Sequence, residues 1–189
     1  MARRPPDEET LLGVARACAD VFVAAGDSSP TVATLVAAAG LSERTFHRWF
    51  PTKPDCLRPL FDDGNRAYAA ALATQPADLP LGEALCRAFV ATFADGSDDS
   101  SRALMRTVFG DLALRRVWLE ASYATTPALR PGVATRLGTT QDAVATTVGC
   151  GQAIVLAIAA LTHMVEDGLT APEAAAAVGA ALFADVPHH

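Results

Sequence analysis

Apolar residues recur along this chain at spacings of three and four, and no stretch alternates in steps of two. That periodicity belongs to helices, whose side chains return to one face every 3.6 residues. Alanine is abundant, and few segments are rich in β-branched or aromatic residues, so the chain reads as all-α. Asp7, after Pro5 and Pro6, is placed to cap a first helix, and Glu8 and Glu9 suit its positive end. Leu11, Val14, Ala15, Cys18, Val21, Phe22 and Ala25 then form one apolar stripe, and Gly26 supplies a stop. A second short helix is predicted over about 31–39, capped by Thr31 and closed by Gly40. Ser42 caps a third, which runs to Phe50 and ends at Pro51.

Thr52 and Asp55 mark the start of a fourth helix. Pro59 falls in its second turn, where a missing backbone donor predicts a bend, and Gly64 and Asn65 weaken its middle. Further helices are predicted at about 80–94, 101–123, 127–137, 140–167 and 170–184. A polar loop over 95–101 separates the first two, and Thr170 with Glu173 forms a capping box for the last.

The 140–167 helix is unusual. Val144, Val148, Gly151, Val155, Ile158 and Val165 define one stripe, and Ala143, Cys150, Ile154, Ala157, Leu161 and Met164 define a neighbouring one. A helix apolar nearly all round must bury more than one face. The last helix is rich in small residues that permit close approach. Together the two predict a homodimer interface with two helices from each subunit; a monomer with a central buried helix is the alternative.

The net charge is −6, but its distribution is uneven. Residues 1–60 are neutral, with seven basic and seven acidic side chains, whereas residues 61–189 hold eight basic and fourteen acidic ones. Between Ser42 and Arg58 the balance is +2, a locally basic patch on an acidic chain. The longest strictly apolar run, nine residues from Ala153 to Leu161, is too short for a bilayer. The N-terminus lacks the apolar stretch of a secretory signal, and the four cysteines show no close pairing. A cytoplasmic, reduced location and no membrane partner are the expectations.

The informative stretch is 31–50. Two short helices joined by a tight glycine-containing turn match the helix-turn-helix, whose second helix enters the major groove of DNA. Phe46 and Phe50, helped by Leu41 and Val36, are predicted to face inward. Arg44, His47 and Arg48 share the opposite side, with Thr45 beside them. They offer donors for base edges and phosphates.

Residues 40–57, Gly-Leu-Ser-Glu-Arg-Thr-Phe-His-Arg-Trp-Phe-Pro-Thr-Lys-Pro-Asp-Cys-Leu, resemble the signature of the tetracycline-repressor (TetR) family of bacterial transcription regulators. The usual order there is Gly, an aliphatic, Ser, two variable residues, Thr, an apolar residue, an aromatic, two more, Phe, then a polar turn with Lys. The match covers roughly residues 7–58. It implies an all-helical dimer with an N-terminal DNA-binding head over 1–52 and a ligand-binding and dimerisation body over 53–189. It also implies double-stranded operator DNA as partner, a repressor's role, and a small effector molecule that releases the DNA. His47 stands where the family often has Tyr, and Arg44 where a small residue is common, so Arg44 could read guanine in bidentate fashion. Lys53, the only lysine in the sequence, matches the family lysine that meets phosphate. Thr31 offers a hydroxyl and a helix N-terminus to the backbone. The expected DNA contacts are therefore Thr31, Ser42, Arg44, Thr45, His47, Arg48, Trp49 and Lys53.

The rest of the chain has no comparable signature. Phe89, Phe93, Met105, Phe109, Trp118, Tyr123, Cys150, Gln152 and His163 are candidates to line an apolar pocket with a few polar handles, and ordinary core positions are the alternative for each. His163, in the long apolar helix, reads as a buried imidazole that needs a partner. Enzyme readings fail on specifics. The histidines lie at 47, 163, 188 and 189 and the cysteines are scattered, which is no metal spacing. Asp95 opens an acidic loop whose sixth position is Ser100 and twelfth Arg106, so it is no EF-hand. Gly149-Cys-Gly151 lies within a helix and is no nucleotide fingerprint. No catalysis, cofactor or metal is expected. Two other readings stay open: a DNA-binding regulator without a small ligand, and a helical ligand-binding or catalytic dimer with a vestigial head.

Overall fold

A computed structural model describes residues 6–93 and 99–184. Arg3, Arg4, residues 95–98 of the polar loop, His188 and His189 lie outside the described residues. The described part is all-helical, with no strand in it. Its helices are α1 (Glu8–Ala25), α2 (Val32–Ala39), α3 (Glu43–Trp49), α4 (Arg58–Thr74), α5 (Leu81–Phe93), α6 (Asp99–Gly110), α7 (Leu112–Ala124), α8 (Thr126–Leu137), α9 (Val144–Glu166) and α10 (Ala171–Phe183). A short 3-10 helix, Lys53–Leu57, precedes α4.

Local chemistry sets most of these boundaries. Asp7, Thr31, Ser42 and Thr170 each accept a hydrogen bond from a backbone N–H in the first turn of the following helix. Such caps satisfy donors that the helix itself leaves orphaned. Gly26 and Gly40 close α1 and α2 in the left-handed conformation, at φ of 80° and 65°.

Three expectations need correction. Pro59 does not bend a helix that starts at Thr52. The chain first makes the 3-10 helix, and Pro59 then falls in the opening turn of α4, where no backbone donor is required. The helix expected over 101–123 is broken at Asp111, whose Oδ1 accepts from Ala113 N–H at 2.8 Å and Leu114 N–H at 3.0 Å and so starts α7 afresh. The long helix begins at Val144, because Thr146 is buried and gives its hydroxyl to the Thr140 carbonyl at 2.7 Å, which holds residues 140–143 in a turn.

The chain divides into two compact units, one of Met1–Asp63 with Ala103–Ala121 and one of Gly64–Arg102 with Ser122–His189. In the first, α1 packs on α2 and the 3-10 helix, and α2 on α3. Phe22, Leu35, Phe46 and Leu57 are fully buried there. Two cysteines also meet in this core: the thiols of Cys18 and Cys56 hydrogen-bond each other, and that contact together with burial holds the Cys56 proton far above the usual thiol range.

In the second unit α9 packs against α8, α10 and α5. The core joins Leu72, Leu85 and Phe89 to Leu129 and Val133, and to Ala153, Leu156 and Ala160 of α9. Arg136 of α8 closes the end of α4 by donating to the carbonyls of Leu72 at 2.9 Å and Gln75 at 2.7 Å. By length and composition α9 could cross a membrane. Within this unit one side of it is packed, with Gly149, Cys150, Ala153, Leu156 and Ala160 buried. Its small positions set how closely it is approached: a Cβ on Gly149 would lie 2.6 Å from Val133 Cγ1 and 3.1 Å from Leu81 Cδ2.

Substituting Gly149→Ala should therefore destabilise the protein, because overpacking against a stiff valine costs about 1–3 kcal/mol and outweighs a propensity gain of up to about 1 kcal/mol. Gly13→Ala, on an exposed face of α1 with nothing within 4 Å of the new methyl, should stabilise it. Urea unfolding of the two variants should show midpoint shifts of opposite sign.

Candidate nucleic-acid interface

Helix α3 is short and sharply two-sided. Phe46 is fully buried and Phe50 nearly so, with ring centroids 5.1 Å apart, while Glu43, Arg44, His47 and Arg48 are exposed. Burial of the two rings fixes the helix, so the rotation of α3 about its own axis decides which polar groups face out. Arg44, His47 and Arg48 take part in no ion pair among the described residues. Free guanidinium groups on a pinned helix are ready donors for guanine edges or phosphate oxygens.

Ser42 and Thr45 are engaged with each other. Thr45 N–H donates to Ser42 Oγ at 3.2 Å, and the Ser42 hydroxyl donates to Thr45 Oγ1 at 3.0 Å. Thr31 makes the same arrangement with Thr34, whose N–H lies 3.2 Å from Thr31 Oγ1. The first turns of α2 and α3 thus each carry a hydrogen-bonded pair of hydroxyls; Thr31, Thr34 and Ser42 are exposed and Thr45 is half-buried.

Trp49 is half-buried. Its ring meets Phe50 at 6.4 Å and lines a cleft of about 530 Å³ with Leu11, Pro59, Arg58 and Arg116. Lys53 is half-buried too, and its ammonium donates to the carbonyls of Ser28 and, at 2.8 Å, Pro30. These carbonyls belong to the loop between α1 and α2. The single lysine of the chain therefore ties that loop to the 3-10 helix after α3. Beside it, the Asp55 carboxylate accepts from both the N–H and the hydroxyl of Thr52 at 2.7 Å.

Sequence reasoning missed a second tether on the same loop. Asp111 Oδ2 accepts from Ser28 N–H at 2.9 Å, across 83 residues of sequence. The available signal was local: an aspartate after Gly110 and before an apolar run is a helix start. Nothing local, however, names Ser28 as its other partner.

The pocket candidates separate into smaller groups. Phe89 and Phe93 stack at 4.8 Å beside Tyr68, and Phe109 and Trp118 meet at 5.0 Å. Met105 and Gln152 are half-buried, and Cys150 is fully buried, where burial pushes its thiol upward from the usual range. Tyr123 is 74% exposed on α7. His163 is not buried: it lies on an exposed face of α9, with Nδ1 2.5 Å from the Asp167 carboxylate one turn on. The apolar sequence around it conceals a position rotated toward solvent.

No family sequence model matches the chain, and no curated protein matches it in sequence. In fold it is similar to a TetR-family transcriptional regulator from Streptomyces coelicolor, with a TM-score of 0.55 and 17% identity over 94% of this chain and 80% of that one. It is similar also to a candidate TetR-family regulator from Mesorhizobium loti, with a TM-score of 0.55 and 15% identity over 94% of this chain and 96% of that one. At these identities the likeness is one of fold, and that fold is the one the 40–57 motif implies.

If Lys53 holds the loop, Lys53→Met should keep the alkyl stem and lose the tether. Removing charged donors from two carbonyls should lower stability by about 1–3 kcal/mol. A lysine that only awaited phosphate would leave the urea midpoint unchanged.

Proposed function

We propose that this protein is a homodimeric, cytoplasmic transcriptional regulator that binds double-stranded operator DNA. It acts as a repressor whose binding is relieved by a small apolar or amphipathic effector. The observation that carries the reading is α3: a short helix pinned by Phe46 and Phe50 that holds Arg44, His47 and Arg48 unpaired on one outward face. Placed in the major groove, Arg44 would read a base edge. Arg48, His47 and the Thr31 and Ser42 helix starts would meet the phosphate backbone. The fold likeness to TetR-family regulators supports the same reading.

The dimer is supported by what α9 leaves uncovered. Val144, Val148 and Val155 are 81%, 56% and 51% exposed in the single chain, a valine stripe that water should not keep. Beyond its first turn the exposed positions of α10 are Ala176, Ala177, Ala180 and Ala181, which allow a second helix to approach closely. A two-fold dimer would present two copies of α3, and both dock only if their separation matches about one turn of B-DNA, roughly 34 Å, or a multiple of it. Effector binding near the Phe89–Phe93 cluster would act by favouring a different separation.

Fluorescence anisotropy against DNA flanking the protein's own gene and against scrambled DNA, over a salt series, tests this. Tighter binding to the flanking DNA is expected, with log K falling at a slope near −0.9 per phosphate contacted. Arg44→Ala should weaken specific binding by about 1–3 kcal/mol and relax selectivity at one base pair. Equal, weak binding to every duplex would overturn the reading. Separately, Val148→Asp with Val155→Asp should give a folded monomer in sedimentation and abolish tight operator binding. An unaltered dimer would place the interface elsewhere.

A further inference from the structure

We propose that Asp111 is a positioning residue for DNA binding, one carboxylate that simultaneously starts α7 and anchors the loop from which α2 presents its first turn. The inference rests on the DNA-binding reading above. Its two oxygens have separate tasks. Oδ1 takes the N–H groups of Ala113 and Leu114, and Oδ2 takes the N–H of Ser28.

The Ser28 backbone is held on both sides of its Cα, through two successive peptide units. Its N–H points at a carboxylate, while its carbonyl accepts from the Lys53 ammonium, which also holds the Pro30 carbonyl. Asp27 Oδ1 accepts from Ser29 N–H at 2.8 Å and tightens the same turn. Thr31 and the exposed start of α2 come directly after it. An anion at the start of α7 and a cation of the 3-10 helix thus set where α2 begins. Burial, the largest single influence, pushes the Asp111 carboxyl upward, but the donors from Ser28, Leu114 and Ala113 outweigh it and hold the group below the usual range. The carboxylate therefore stays charged around neutrality, as the grip requires.

A loop released from this grip would sample other arrangements, and only the fraction with α2 correctly placed could dock. Asp111→Ser isolates the role. Serine remains a good N-cap for α7 but is too short to reach Ser28. In that variant, amide hydrogen exchange should show faster exchange at Ser28 by about tenfold, the worth of one lost charge-assisted bond, with Ala113 and Leu114 still protected. Affinity for the DNA that the unaltered protein prefers should fall about tenfold, with an unchanged salt slope because no phosphate contact is removed. A double-mutant cycle with Lys53→Met should be non-additive in DNA affinity, which a purely local capping role would not produce. Unchanged exchange at Ser28 would overturn the bridge. Unchanged DNA affinity alongside faster exchange would overturn the positioning role. Absence of DNA binding by the unaltered protein would instead overturn the functional reading on which the positioning role rests.

Discussion

The burial of α9 governs its unit. A helix of 23 residues with so few polar side chains cannot be held in water by its own hydrogen bonds, and α5, α8 and α10 pack against one side of it. Its inward side is built from small and medium residues, Ala153, Leu156 and Ala160 among them, and Gly149 brings Val133 and Leu81 closer than any side chain would allow. Close approach is what makes the packing worthwhile, because dispersion falls off steeply with distance. The Arg136 contacts add donors to carbonyls at the end of α4, where the helix supplies no further i+4 N–H groups.

The first unit solves a different problem. Its helices α2 and α3 are too short to persist alone, and only a few of their side chains reach the core. Apolar burial fixes how α3 is rotated, through Phe46 and Phe50. The connecting loop is fixed instead by charge, with Lys53 on carbonyls and Asp111 on an N–H. The division is physically sensible. A hydrophobic contact is non-directional, whereas a hydrogen bond to a charged group sets a peptide's orientation.

Sequence was most legible where the cause was local. Asp7, Thr31, Ser42 and Thr170 announce helix starts because their side chains act within one turn, and Gly26 and Gly40 mark ends because few other residues adopt their conformation. The two-faced character of α3 was legible for the same reason. Legibility failed where the deciding partner was remote or the geometry was not α-helical. Pro59 looked like a bend only on the assumption that the α-helix began at Thr52. The apolar pattern runs straight through Asp111 and hides the break. In α9, the three-and-four pattern sets Val165 on one stripe with Val144, but 21 residues of helix rotate it by about 60°, and it is buried while Val144 is open. Lys53 was legible as important, whereas its carbonyl partners 23 and 25 residues away were not.

The composition of the uncovered α9 stripe has a further consequence. Val144, Val148 and Val155 branch at Cβ, and within a helix each is confined almost entirely to one rotamer. Longer, flexible side chains forfeit about 0.5–1.5 kcal/mol each when an interface immobilises them. These valines have little such freedom to lose. The stripe is therefore a rigid template with its shape set before any encounter, and a surface that closes on it forfeits less entropy than one meeting leucines or methionines. Its selectivity would come from shape, since a stiff ridge cannot remould itself to a poorly fitting partner.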